Sequence, residues 1–392
     1  MQYGKMVGRV LGCAVRNLPG QLKIRRTDSA GVNLVTFGAL ANGVGEASRV
    51  VGSLLAKTEL PVVDYSYDVL SDERAASRPG KTGPLFPMTI SALNASDHLA
   101  AAGVFSRLYA PSRHRIGVWH WEVDVFPLLH RMARVVTDEI WTTSQYQQEL
   151  MAAQYKMPVH VLPLPVSLSP VDSDLVRQLR ARLPHPEAFL IAFQFDWNSS
   201  RQRKNPEAAV KAFLRAFPVP KPEVALVMKS INGDRHPQDV AALRALCGDR
   251  ADVVIIDEFW PAALNDAFFH ALDCYVSLHR SEGFGLTMAK AMAAGKPVIA
   301  TGFSGNLDFM DERTALLVPW TYTSVGPGAI YPENARWAEP DVDAAADLMR
   351  LVVTDSAARA RIGAAASEFI ASTRRADQSV SWVAERVAQQ FS

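Results

Sequence analysis

Cysteine is scarce in this chain. Cys13, Cys247 and Cys274 are the only three in 392 residues, odd in number and without metal-ligand spacing, which excludes a disulfide scaffold and fits a reducing compartment. Long hydrophobic runs are missing too, since no stretch approaches the roughly 20 apolar residues that a membrane span requires. Net charge is nearly absent, with 41 Lys and Arg against 40 Asp and Glu, so nothing in the overall balance selects nucleic acid as a partner. The chain shows no Ser-His-Asp order, no zinc spacing, no P-loop and no repeat of short period. With 48% hydrophobic and 21% charged residues, it has the composition of a globular enzyme long enough for two domains, each with its own core.

Acid is absent from one segment. From Met1 to Thr27 there are Lys5, Arg9, Arg16, Lys23, Arg25 and Arg26 but no Asp or Glu. Drawn as a helix at about 100° per residue, Lys5, Arg9 and Arg16 share one side while Val7, Val10, Leu11, Ala14 and Leu18 share the other. Such a helix either lies on an anionic membrane surface or packs on the body with its basic face in water. Arg9 and Arg16 interrupt what would be the apolar region of a secretory signal. A cytoplasmic protein, peripheral on the inner face of the membrane if residues 1–26 bind it, is the expected setting.

What is present is an alternation of apolar strand-like runs with helix-like segments, twice over. This predicts two doubly wound α/β domains. Strands are expected at Val32–Gly38, Leu60–Asp64, Pro87–Ala92, Arg115–Trp119, Glu139–Thr143 and Val159–Leu162. A second series is expected at Phe189–Phe195, Val224–Lys229, Val253–Ile256, Cys274–Leu278, Pro297–Thr301 and Ala315–Val318. The expected organisation is a basic segment over 1–30, a first domain over 31–165, a proline-flanked linker over 166–186, a second domain over 187–371 and a final helical segment over 372–392. The polar stretch between Tyr67 and Leu85 and the stretch from Pro319 to Trp337 read as loops.

The sharpest signal is S-L-H-R-S-E-G-F-G-L-T-M-A-K around Glu282, an apolar strand passing through Gly283 and Gly285 into a small-residue helix. Backbone N–H groups and the positive helix end favour a phosphate there. Glu282 at its mouth repels phosphate but accepts hydrogen bonds from hydroxyls, which points to a sugar beside the phosphate. After the first strand of the second domain, F-Q-F-D-W-N-S-S-R-Q-R-K-N-P sets Arg201, Arg203 and Lys204 before a helix begun by Pro206, either a solvated basic loop or a cradle for a diphosphate whose charge grows as it departs.

The Glu282 segment resembles the donor-site signature of retaining glycosyltransferases of family 4, which have the GT-B fold and usually carry two glutamates eight positions apart; Lys290 stands at the second position here. The resemblance implies two Rossmann-like domains facing a cleft, with an acceptor side and a nucleotide-sugar side. It implies that Lys204 and either Arg201 or Arg203 hold the diphosphate with Gly283, Phe284, Gly285, Leu286 and Arg280. Lys290 would lie at the ribose, and Glu282 would hold donor hydroxyls.

By the resemblance, G-V-G-E after the first strand places Gly45 at the donor phosphates or the acceptor; a plain packing turn is the alternative. T-G-F-S-G-N offers N–H groups of Ser304, Gly305 and Asn306. In G-V-W-H-W-E, His120 matches a family histidine that contacts the donor sugar, with Trp119, Trp121 and Glu122 as a sugar platform.

The expected activity is retaining transfer of a sugar from a UDP- or GDP-linked donor to a glycan or lipid-linked hydroxyl in bacterial envelope synthesis, without metal or organic cofactor and with no nucleic-acid partner. The rival is a nucleotide-sugar-binding or scaffold protein with little turnover.

Overall fold

The computed structural model describes residues 29–37, 43–67, 85–110, 113–170, 172–183 and 186–391. The basic segment with Lys5, Arg9 and Arg16 and most of the polar stretch after Tyr67 lie outside the described residues. The chain divides into two units. The first holds the described residues up to Trp121, Phe126–Leu164 and Ala376 onward; the second holds Glu122–Val125 and Pro165–Arg375.

Near-continuous apolar runs suit parallel strands covered on both faces, and that is what they form. In the first unit the elements are β1 (Val32–Thr36), α1 (Gly43–Leu55), β2 (Val62–Ser66), β3 (Met88–Ser91), α2 (Ala95–Val104), β4 (His114–Val118), α3 (Leu128–Met132), β5 (Glu139–Thr142), α4 (Gln145–Gln154) and β6 (Val159–Val161). The strands make one parallel sheet in the order β2-β1-β3-β4-β5-β6. The 3-10 turn Ala133–Val136 continues α3.

The second unit opens with α5 (Ser173–Arg182), within the stretch read as a linker. The Asp172 side chain accepts from the Asp174 N–H and caps this helix. There follow β7 (Phe189–Asp196), α6 (Arg201–Lys204), α7 (Pro206–Ala216), β8 (Val224–Ile231), α8 (Pro237–Cys247), β9 (Val253–Asp257) and α9 (Ala262–Ala271). Then come β10 (Cys274–Ser277), α10 (Leu286–Ala293), β11 (Val298–Thr301) and β12 (Leu316–Val318). The sheet order β12-β11-β10-β7-β8-β9 is the Rossmann order, and it reverses direction between β7 and β10.

The stretch after Pro319 differs from its reading as a loop. It holds the antiparallel pair β13 (Trp320–Ser324) and β14 (Arg336–Pro340), in register from Trp320–Pro340 to Ser324–Arg336. Trp320, Thr321, Tyr322 and Thr323 are residues that favour strands, and only their short, exposed run disguised this. The unit closes with α11 (Val342–Thr354) and α12 (Ser356–Thr373).

The chain then returns to the first unit as α13 (Ala376–Ala388). Val383 and Val387 are wholly buried in a core shared with Val32, Leu54, Ile90 and Trp141, and the Trp382 ring stands edge-on to Trp141 at 5.0 Å. Polar bonds fix the same contact. Glu139 accepts from Arg386 Nε (2.8 Å) and Trp141 Nε1 (2.6 Å), with His114 Nε2 at 3.1 Å. Burial alone would raise its carboxyl, but the bonds from His114, Arg386 and Trp141 more than offset this and hold it at about 2. Among the described residues no helix is long and apolar enough to cross a membrane.

Candidate active site

In an open parallel sheet the strands' carboxyl ends flank a crevice where the order reverses. In the second unit that point lies between β7 and β10. The loops leaving those strands carry Lys204 and Glu282, and the fold brings the two together. Glu282 Oε1 lies 2.5 Å from Lys204 Nζ, and Oε2 lies 3.1 Å from Arg203 Nη1. All three side chains are largely buried. Burial pushes the Glu282 carboxyl up, yet the charges of Lys204 and Arg203 prevail and hold it at about 2. Burial pushes the Lys204 ammonium down, against the pull of Glu282. One carboxylate therefore sits between two cations, and the Glu122 carboxylate also acts on both of them.

The loop backbone is strained to make this meeting. Four non-glycine residues with positive φ occur among the described residues, Ser200, Asn205, Asn232 and Ser304, and all four follow β7, β8 or β11. Such conformations cost energy and cluster where geometry serves a function. Gly285, with φ of +95°, turns the chain into α10 and leaves the first N–H groups of that helix without intrahelical partners. Gly305 is required for a different reason. A Cβ there would meet the Gly283 carbonyl oxygen at 2.0 Å, and the Gly305 N–H donates to the Glu282 carbonyl at 3.0 Å.

Several expected ligand groups are committed elsewhere. Arg201 pairs with Glu207 and, at 2.7 Å, with Asp239, because the single turn of α6 aims it away from Lys204. Arg280 pairs with Glu339 at 2.6 Å and donates to the Gln202 carbonyl at 2.6 Å, so it supports the hairpin rather than Glu282. Arg203 donates to the carbonyls of Ser281 (2.9 Å) and Ser199 (3.2 Å), tying the two site loops together.

The Ser304 hydroxyl accepts from the Glu282 N–H at 2.8 Å. Asn306 lies 3.1 Å from His279 Nε2 and donates to the Thr301 carbonyl at 3.1 Å. Ser304, Gly305 and Asn306 thus brace the Glu282 turn. Phe284 is buried against Phe309, with Arg374 over its ring at 5.4 Å, and Leu286 is half-buried in the first turn of α10.

The aromatic platform needs the largest correction. Trp119 is wholly buried, donating to His98 Nδ1 at 3.2 Å, and Trp121 is buried against Phe126 and His130. Neither face is open to a sugar. His120 between them is half-buried, with Nδ1 3.5 Å from the Thr143 hydroxyl, and Gly45 is buried in the first turn of α1. Glu122 belongs to the second unit, where its carbonyl accepts from Ser281 Oγ at 2.6 Å and its carboxylate from Tyr331 at 2.9 Å.

Two further residues emerge only from the structure. Tyr331 is buried and joins Glu122 to the charge cluster. Lys229, 1% exposed at the carboxyl end of β8, donates to the Glu258 carbonyl at 2.6 Å and lies 5.0 Å from the Trp260 ring centre. Burial lowers its ammonium to about 8. A lysine closing the apolar run V-A-L-V-M-K was a visible anomaly; nothing in the Tyr331 segment marked that residue.

Lys290 lies on α10 and pairs with the buried Asp266 of α9 at 3.6 Å, while the other Asp266 oxygen accepts from the Ser169 N–H. Lys290→Glu therefore sets two acids face to face. We expect a loss of about 1–3 kcal/mol in urea unfolding, most of it recovered in the Lys290→Glu/Asp266→Asn double variant. Strictly additive effects would show that the pair is not coupled.

Residues 199–324 match the family model described as Glycosyl transferases group 1, a segment that contains Arg203, Lys204 and Glu282. The fold is GT-B, with two Rossmann-like α/β domains, and the matched segment lies within the second of them. Among solved structures, the chain is similar to sucrose-phosphate synthase from Thermosynechococcus elongatus, at 17% identity and a TM-score of 0.69 over 93% of this chain and 99% of that one. It is also similar to HepE of Anabaena, solved in complex with UDP and glucose, at 13% identity and 0.65 over 92% of this chain and 100% of that one. A glycosyltransferase from Rickettsia africae matches at 12% identity and 0.64, over 94% and 99%. No curated protein sequence matches the chain.

Proposed function

We propose that the protein moves a sugar from a nucleotide diphosphate donor to an acceptor hydroxyl with retention of configuration. The observation that carries this reading is the Lys204–Glu282–Arg203 cluster at the reversal of the second sheet. Around it, buried polar groups await partners. Of nine buried side-chain nitrogen and oxygen atoms without a hydrogen-bond partner among the described residues, five lie between Gln194 and Asn205. Such atoms are costly unless something bonds them, and a polar donor entering the crevice is suited to do so.

In this reading Lys204 turns from Glu282 to the diphosphate as charge builds on the leaving oxygen, aided by the N–H groups that open α10. Glu282, released from one cation, accepts hydroxyl hydrogens of the sugar. Arg203 is a positioning residue that keeps the two loops in register, and His120 is assigned to the donor sugar by the family resemblance alone. These cations and the helix end supply the stabilising charge, so the reading needs neither metal nor organic cofactor. Attack follows the face of departure, and the leaving phosphate takes the acceptor's proton. The UDP bound by HepE favours a UDP-linked donor. A glycan or lipid-linked acceptor of the envelope, met at the inner membrane face, fits the basic residues 1–26.

The test is release of nucleoside diphosphate from a panel of UDP-, GDP- and ADP-sugars. We expect release from UDP-sugars above the other two. Binding of a donor without release from any would overturn the transferase reading in favour of a sugar-nucleotide-binding protein.

A further inference from the structure

Helix α3 and the turn that follows it read L-L-H-R-M-A-R-V-V from Leu128 to Val136, and their outward face is the wrong one for water. At about 100° per residue, Leu128, Met132 and Val135 fall within one narrow stripe. They are 68%, 46% and 63% exposed, whereas His130 and Ala133, on the opposite side, are buried. The inner face is thus already satisfied: the His130 ring packs tilted against Trp121 at 4.4 Å, and Thr137 Oγ1 donates to the Ala133 carbonyl. Beside the stripe stand Arg131 and Arg134, both exposed, neither in an ion pair among the described residues. These five residues and Gln154 line a groove of about 220 Å³ that no acidic side chain enters.

We infer that this face is a membrane-contact surface that seats on anionic lipid, separate from residues 1–26. Three clustered apolar side chains in water are disfavoured, and the cations at their rim select what covers them. An acyl and headgroup boundary accepts apolar side chains without demanding a matched shape, and its negative surface attracts Arg131 and Arg134. A protein partner would need a far larger complementary patch than two helical turns provide. The inference stands whatever donor the second unit takes.

The experiment is co-sedimentation of the full chain with vesicles of phosphatidylcholine alone and of an equal mixture of phosphatidylcholine and phosphatidylglycerol. Residues 1–26 are common to every form, so the ratio between forms reports the α3 face. Leu128→Ser/Met132→Ser/Val135→Ser should partition onto the mixed vesicles at least about tenfold less than the native chain. Arg131→Gln/Arg134→Gln should lose a similar factor on mixed vesicles and none on phosphatidylcholine alone. Because all five side chains are exposed, the urea midpoint should hold in both variants. Undiminished partition of either variant overturns the inference. So does an altered oligomeric state of the serine variant with unaltered partition, which would assign the face to another protein chain.

Discussion

Glu282→Gln is expected to lower nucleoside diphosphate release by about 10²-fold or more, the scale on which a single preorganised charge acts in a transition state. The change keeps shape and removes the anion shared by Lys204 and Arg203. It also takes the nearest anion from two buried cations, so stability should fall. The folded carboxyl titrates at about 2 against an ordinary 4.5, so on acidification the unfolded chain takes up the proton first. Glu282's contribution is therefore whole above about pH 4.5 and drains away between 4.5 and 2. At about 1.4 kcal/mol per unit that contribution is roughly 3 kcal/mol. Urea unfolding across this window should show a shallower slope in Glu282→Gln than in the native chain, the remainder coming from Glu139, which is also held at about 2. Adding Lys204→Met to Glu282→Gln should restore part of the stability but none of the release. Equal release by native and Glu282→Gln proteins would remove Glu282 from the donor site.

Gly305→Ala should be nearly as damaging from a position that touches no substrate in the proposed reading. Its Cβ would strike the backbone of Gly283 and come within 2.9 Å of the Glu282 carbonyl oxygen, and backbone cannot swing aside as a side chain can. Relief requires the Glu282–Gly283 turn to move, at a cost of about 1–3 kcal/mol or somewhat more. A shift of an ångström at Glu282 costs on the order of 10²-fold in rate, so activity should fall further than the urea midpoint implies. Gly302→Ala is the control, because its nearest neighbour, the Val318 carbonyl oxygen, is 3.4 Å away. Equal effects of the two alanines would show that Gly305 is not tightly packed.

The central sheet strands were legible because a strand buried on both faces reads as an apolar run between polar segments, and the half-buried edge strands β2, β9 and β12 still carry enough Val, Ile and Leu to show. Glu282 and Lys204 were legible for a related reason. Each follows a strand directly, where the topology of a doubly wound sheet must place it beside the crevice. Choosing between Arg201 and Arg203 was beyond sequence, since one turn of α6 aims the two in different directions and Glu207 and Asp239 capture the first.

Trp119 and Trp121 misled because an aromatic at a strand end looks the same whether it faces a ligand or His98 and His130. Arg280 misled because its partner, Glu339, sits 59 positions on, in a hairpin too short and too exposed to announce itself. Pairings across such separations are set by the packed fold and leave no trace in local spacing.

The return of α13 to the first unit has a consequence for the birth of the molecule. A chain emerging from its N-terminus completes the sheet β1 to β6 early, but Trp382, Val383 and Val387, which cover one side of that sheet, are the last of its core to be made. The second unit, continuous from Pro165 to Arg375 apart from Glu122–Val125, has nearly all its residues sooner. Domains commonly mature in the order of synthesis. Here the order is inverted at the finish: the first unit is the last to close, and until α13 docks one apolar face of its sheet stays open.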